Sequence, residues 1–191
     1  MAQVTPSTAS VHLNRLRTEN LVKVFVQGKH RYYSLSCPQV AKALEGLSVL
    51  AGTARTEFIA NTLNRLRVAR TCYDHIAGNL GVMLHDRLKA SGWMSVRTKK
   101  PVEFYELTAA GTAAMSALGI DIAATRKRRR RFAFACLDWS ERKPHLAGAL
   151  AAAILDLSLK KKWLLQDLDS RALSVTGYGR RQLAVHFGLH A

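Results

Sequence analysis

An internal repeat constrains the fold of this 191-residue chain more than any other feature of the sequence. The segment His75-Ile76-Ala77-Gly78-Asn79-Leu80-Gly81 aligns without a gap with His145-Leu146-Ala147-Gly148-Ala149-Leu150-Ala151. The register continues to Trp93 and Trp163, each 18 residues beyond its histidine. A unit this small cannot bury its apolar face alone, so we expect the copies to pack on each other or on the N-terminal part.

Each copy is predicted to contain a helix, a strand, a turn, a strand and a final helix. The motif that begins with His75 or His145 is expected to form the opening helix. The first copy has a predicted strand at 104–107, a helix cap at Thr108 and a closing glycine at Gly119. The second copy has the corresponding strand at 172–175, cap at Thr176 and glycine at Gly188. This order is close to half of a winged helix, so the predicted class is mainly α with small β-hairpins (α+β).

The composition favours a polyanionic partner. Lys and Arg total 29 against 13 Asp and Glu, a formal net charge of +16, and residues 126–131 are all basic. This run is either a solvated linker or a phosphate-binding strip. No apolar run is long enough to span a membrane, and the N-terminus lacks a signal-peptide pattern. Three cysteines make no disulfide framework, so we expect a cytoplasmic protein.

The N-terminal segment is predicted to form a helix followed by a hairpin. Thr5 and Pro6 are typical of a helix start, and two β-rich stretches follow at 22–26 and 31–35. This layout is that of a winged helix, in which the helix enters the major groove and the hairpin contacts phosphate. The alternative is an ordinary amphipathic helix packed on a hairpin. The candidate DNA-binding residues are Ser7, Thr8, Ser10, His12, Arg15 and Arg17 on the helix, and Lys29 and Arg31 in the wing.

This segment resembles the arsenic-repressor (ArsR-type) family of winged-helix regulators. The matching residues are Ser7-Thr8-Ala9-Ser10-Val11-His12-Leu13-Asn14-Arg15-Leu16, Leu21-Val22 and Gly28-Lys29-His30-Arg31-Tyr32-Tyr33-Ser34-Leu35. The resemblance implies a recognition helix at 6–18 and a dimerisation helix at 38–51. It also implies a homodimer that represses transcription until an effector, often a metal ion, loosens its hold on DNA.

The chain departs from the family pattern in two ways. The family has about three helices before the recognition helix, so the chain is expected to be N-terminally shortened. The family's Cys-x-Cys motif before that helix is absent. Both repeats contain a Cys-x-Asp opening and a His-x-Ala-Gly motif. Together they resemble the C-terminal extension of one ArsR-type subgroup.

Each repeat opens with the pattern Cys-x-Asp, which suggests metal or thiol chemistry. Cys72 and His75, three residues apart, are expected on one helix face, where thiolate and imidazole suit Zn(II), Cd(II) or Cu(I). Six extra residues separate Cys136 from its histidine, so a single or shared site is expected. The candidate ligands are Cys72, Asp74, His75, Cys136, Asp138 and His145. A thiol sensor and a purely structural role remain alternatives.

The sequence therefore predicts a cytoplasmic transcriptional repressor of the ArsR type that binds double-stranded DNA as a homodimer and responds to a metal or thiol-reactive effector. The alternative is a shortened dimerisation module that does not bind DNA by itself. Enzyme motifs and membrane spans are absent from the sequence. The predicted domains are a partial winged helix (1–52), a connecting helix (53–70), a first repeat (71–125), a basic linker (126–134) and a second repeat (135–191).

Overall fold

The computed structural model describes residues 4–27, 30–50, 64–98 and 102–190. The chain divides into two compact units, Met1–Ala60 and Asn61–Ala191. Most of the predicted connecting helix at 53–70 lies outside the described residues. Its described end is the short helix α3 (Asn64–Val68). The finer domain boundaries within each unit stay predictions.

The first unit contains two helices around one hairpin in its described part. These elements are α1 (Pro6–Thr18), β1 (Val22–Gln27), β2 (His30–Leu35) and α2 (Pro38–Leu50). Thr5 caps α1 by accepting the Thr8 N–H, and Pro6 occupies the first turn. Asn20 ends the helix in the left-handed conformation, φ 56°. It thereby turns the chain into β1 without glycine.

The second unit contains the repeat motifs. Its remaining elements are β3 (Arg70–Cys72), β4 (His75–Ala77), α4 (Asn79–Ala90), β5 (Met94–Thr98), β6 (Phe104–Leu107), α5 (Ala109–Leu118), α6 (Ile122–Lys127), β7 (Phe134–Leu137), β8 (Pro144–Ala147), α7 (Ala149–Lys160), β9 (Leu164–Gln166), β10 (Leu173–Val175) and α8 (Gly177–Phe187). The order hairpin, helix, hairpin, helix occurs twice, with α6 in between. This mixture of helices and small antiparallel sheets agrees with the α+β class.

The expectation that each copy opens with a helix is wrong. The His-x-Ala segments form β4 and β8, the second strands of hairpins, and the helices begin only after Gly78 and Gly148. Both glycines have positive φ, 77° and 103°. An added Cβ would lie 2.6 Å from a backbone carbonyl oxygen in each case, that of Arg67 or of Phe132. The shared glycine therefore marks a sharp strand-to-helix turn.

The predicted ends of the final helices are confirmed. Thr108 and Thr176 cap α5 and α8, and their hydroxyls accept the N–H groups of residues three positions further on. Gly119 and Gly188 follow these helices in the left-handed conformation.

The two halves of the second unit share one hydrophobic core. Helix α4 packs on β8 of the other half, and α7 packs on β4. Leu84, Leu150, Ile154 and Trp163 all belong to the same buried cluster. The sheets are small and antiparallel: β5-β6-β7-β8 form four strands, and β3-β4 and β9-β10 form pairs. Because both halves contribute to one core, we expect neither half to be stable alone.

Among the described residues, none of the helices combines the length and apolarity required to cross a membrane.

Candidate functional sites

The first candidate site is the surface of α1. Along the whole helix no side chain is buried within the unit. The predicted contact residues Ser7, Thr8, Ser10, His12, Arg15 and Arg17 are all exposed. The Ser10 hydroxyl donates to the Pro6 carbonyl at 2.9 Å, a contact that an exposed hydroxyl exchanges readily for another acceptor. The helix thus presents short polar groups and two guanidinium groups to its surroundings.

The predicted wing is the hairpin of β1 and β2. The strands pair from Val22↔Leu35 to Gln27↔His30, and the rings of Phe25 and Tyr32 lie 6.4 Å apart between centroids. Arg31 is exposed close to the hairpin tip. Lys29 lies outside the described residues. The hairpin therefore brings at least one of the two predicted basic side chains to a position from which it can reach a polyanion.

The second candidate site is a Cys–His cluster in the second unit. Cys72 is the cross-strand partner of His75 in the β3–β4 hairpin, and Cys136 is the partner of His145 in the β7–β8 hairpin. Residues directly opposite on antiparallel strands point to the same face. The prediction that Cys72 and His75 share a helix face is therefore wrong, although the strands achieve the same proximity.

The six extra residues of the second copy lie in the loop of its hairpin. The first hairpin turns at Tyr73 and Asp74, with Tyr73 at φ 58°, whereas the second continues through residues 138–143. The Cys–His pairing is the same in both hairpins because the insertion does not reach the strands. The two copies therefore differ in the length of their hairpin loops, whereas their Cys–His pairs are the same.

The four Cys and His side chains lie close together, as a single shared site requires. One ligand atom each from Cys72, His75, Cys136 and His145 lies within 4.8 Å of all the others. The two imidazoles stack with centroids 5.1 Å apart. His75, Cys136 and His145 are buried, and Cys72 is half-buried. The Cys136 side chain, followed by those of His145 and His75, lowers the pKa of the Cys72 thiol despite its burial.

The two carboxylates proposed as ligands do not join the cluster. Asp74 forms an ion pair with Arg130, which lowers the pKa of its carboxyl group. Asp138 is fully buried and pairs with Arg70, whose Nη2 lies 2.7 Å from Oδ1. Asp74 Oδ1 lies 3.4 Å from His75 Nδ1, and Asp138 Oδ2 lies 3.7 Å from His145 Nδ1.

Sequence reasoning missed the role of Arg70. Its guanidinium group is buried, donates to the Leu66 carbonyl and Ser140 hydroxyl, and lies 4.4 Å from the Trp139 ring. Asp138 also accepts the Gly78 N–H at 2.7 Å. Burial raises the pKa of Asp138, but Arg70 and these hydrogen bonds outweigh it and lower the pKa. The Arg70–Asp138 pair thereby joins the first hairpin to the loop of the second.

Much of the basic run is already paired within the unit. Arg126 contacts Glu106 at 2.6 Å, Arg128 lies 3.9 Å from Asp156, and Arg130 pairs with Asp74. The run is also not wholly a linker, since Arg126 and Lys127 belong to α6. These ion pairs reduce the charge that is available for a phosphate-binding strip.

Comparison with known proteins gives one informative relative. The chain is 37% identical over 191 residues to the uncharacterized HTH-type transcriptional regulator YdfF of Bacillus subtilis (strain 168). The alignment covers 99% of this chain and 83% of the relative. No protein-family profile matches the chain, and no solved structure matches it.

Proposed function

Because the chain belongs to the HTH-type transcriptional regulators, we propose that it is an ArsR-type repressor that binds operator DNA as a homodimer. In this proposal the first unit reads DNA and the second unit responds to a metal or thiol-reactive effector. The exposed polar surface of α1 carries the proposal. The protein would act in the cytoplasm, on double-stranded DNA.

Helix α1 is the proposed recognition helix. Its 13 residues correspond to about 20 Å of helix, which is long enough to lie in a major groove. Ser7, Thr8 and Ser10 lie in its first turns, where hydroxyl groups can donate to or accept from base edges. Arg15 and Arg17 follow at the other end and would contact phosphates.

The β1–β2 hairpin is the proposed wing. Arg31, and Lys29 beside it in the sequence, would bind phosphate or enter the minor groove. Such contacts carry no base information directly, so they would contribute affinity and salt dependence and not sequence preference.

A homodimer accounts for the apolar surface of the first unit. Leu47 is 60% exposed on α2. The sequence places Val40, Leu44 and Leu47 on one stripe of α2, which suits a partner helix. A two-fold dimer would present two α1 helices to related half-sites, so its operator would be an inverted repeat.

The second unit is proposed to be a duplicated sensor with two winged-helix-like copies. The recurring order of elements supports this proposal, together with the matching glycine turns and the capping threonines. An effector at the Cys–His cluster would change DNA binding only if its affinity differs between the bound and free states of the regulator.

Two substitutions in the first unit separate phosphate contacts from base contacts. Arg31→Ala should weaken binding to all duplexes and lower the slope of log affinity against log salt by about 1. Ser10→Ala should change the preference among duplexes while leaving the salt slope unchanged. Fluorescence anisotropy with labelled duplexes, measured at several salt concentrations, gives both quantities.

Arg181→Ala is the matched control, because Arg181 is an exposed arginine on α8 of the second unit. It should leave both the affinity and the preference unchanged. Equal effects of Arg31→Ala and Arg181→Ala would remove the wing assignment. A folded dimer that binds no duplex would favour the alternative function, a dimerisation module without DNA binding of its own.

A further inference from the structure

We propose that Cys72, His75, Cys136 and His145 bind one Zn(II) ion in a tetrahedral Cys2His2 site that joins the two hairpins of the second unit. This inference gives the effector site of the proposed function a specific ion. It rests on that function only for its regulatory consequence, because the ligands all belong to one unit and need neither DNA nor a second chain.

The hairpins explain why each half supplies one sulfur and one nitrogen. In each hairpin the cysteine lies directly opposite the histidine, at the last pair before the loop in the first hairpin and one pair further from the loop in the second. The pair therefore projects two ligand atoms to one side of the hairpin. Strands β4 and β8 contact each other, so the two pairs face one another across the junction of the halves.

The spacing of the ligand atoms fits a small ion. Zn–S bonds of about 2.3 Å and Zn–N bonds of about 2.0–2.1 Å give ligand–ligand edges of about 3.3–3.8 Å in a tetrahedron. The four atoms already lie within 4.8 Å of one another, so side-chain movements of about 1 Å would complete the geometry.

The histidines provide the most specific evidence. In the described part of the chain, the buried Nε2 atoms of His75 and His145 have no hydrogen-bond partner. A buried, unpaired ring nitrogen is costly, whereas coordination to a metal would satisfy it. On the opposite side of each ring, Nδ1 faces Asp74 or Asp138 at 3.4 and 3.7 Å. In His75 the Asp74 carboxylate beside Nδ1 favours the tautomer that leaves the Nε2 lone pair for a metal. In His145 neither ring nitrogen has a hydrogen-bond partner among the described residues, so either one is open to coordination.

The donor set selects the ion. Two thiolates and two imidazoles in a tetrahedron suit a d10 ion of the zinc type, whereas magnesium and calcium require oxygen ligands. Four protein ligands leave no position for a substrate or water, so the site would be structural or regulatory and not catalytic. The ion would link β3–β4 to β7–β8 and thereby stabilise the packing of the two halves.

Titration of the reduced, chelator-treated full chain with Cd(II) or Co(II) tests the site directly. Thiolate-to-metal absorbance should rise linearly and saturate at one ion per chain. Zn(II) should displace the probe and raise the unfolding temperature of the second unit. X-ray absorption of the zinc form should show two sulfur and two nitrogen ligands.

Matched variants identify the ligands. Cys136→Ser and His145→Gln should abolish the saturable absorbance, whereas Cys37→Ser and His190→Gln, which replace an exposed cysteine and an exposed histidine, should leave it unchanged. The half-buried Cys72→Ser variant should show the same loss if Cys136→Ser fails to fold. Circular dichroism confirms that each variant is folded.

Folded, reduced wild-type protein that shows no thiolate absorbance up to several equivalents of Cd(II) would overturn the proposal. A Cys72–Cys136 disulfide forming in air, together with no metal binding by the reduced chain, would overturn it in favour of a redox pair. DNA binding is measured separately, so absence of metal binding with DNA binding intact refutes this inference alone. Metal binding by a chain that binds no DNA in either its metal-free or its metal-bound form refutes the proposed function alone.

Discussion

Removal of the Arg70 guanidinium group should destabilise the second unit strongly. Arg70 and Asp138 form an ion pair in which neither side chain is more than 1% exposed. Arg70→Met retains most of the apolar volume but leaves the carboxylate without its cation. Removing one partner of a buried pair costs about 3–5 kcal/mol, because the remaining charge cannot recover its hydration.

The structure places this variant near the lower end of that range. Asp138 would still accept hydrogen bonds from the Gly78 N–H and from Ser140, at 2.7 and 2.8 Å. We therefore expect a loss of about 3 kcal/mol in the free energy of unfolding. For a unit of this size the corresponding fall in unfolding temperature is about 10 °C.

Urea denaturation followed by tryptophan fluorescence measures this loss. Arg65→Met is the matched control, because Arg65 pairs with Asp167 at 3.1 Å while its own side chain is 58% exposed. An exposed pair of this kind contributes at most about 1 kcal/mol. If Arg70→Met costs no more than Arg65→Met, the buried pair does not have the role described here.

Two further predictions concern a close backbone contact and a buried phenol. Gly179→Ala should lower the free energy of unfolding by about 3 kcal/mol, because the added Cβ would lie 1.9 Å from the Trp163 carbonyl oxygen. Gly177→Ala is the matched control, because nothing lies within 4 Å of its added Cβ. Thermal unfolding of both variants checks this difference. Burial and the Glu103 carboxylate raise the pKa of the Tyr105 phenol well above its ordinary value. Unfolded tyrosine ionises near pH 10, so stability should fall as the pH rises above about 10, and denaturation curves should show that Tyr105→Phe lacks this part of the decline.

The sequence predicts that the Cys and His residues share one site, but it assigns them to helices and not to the strands that bring them together. Strands of three residues, such as Arg70–Cys72 and His75–Ala77, are too short to show an alternating pattern. The repeat pattern predicts that the glycine after each His-x-Ala segment belongs to a helix, whereas its positive φ marks a turn. The repeated Cys and His residues were nevertheless recognisable, because the repeat itself aligns them.

The roles of the acidic residues could not be predicted from local sequence. Asp74 and Asp138 stand beside the candidate ligands in the chain, but their partners Arg130 and Arg70 are 56 and 68 residues away. A carboxylate becomes a metal ligand or an ion-pair partner according to which groups the fold brings to it. The N-terminal cap at Thr5 and the left-handed Asn20 were predictable because they depend on neighbouring residues alone.

Selection of duplexes from a random pool by the full, reduced chain tests the central claim most directly. If α1 reads DNA within a homodimer, repeated selection at physiological salt should enrich an inverted repeat whose half-sites lie about 10 base pairs, or a multiple of this, apart. The Ser10→Ala variant should enrich a different half-site. A folded protein that enriches no common sequence would contradict the assignment of α1 as a recognition helix.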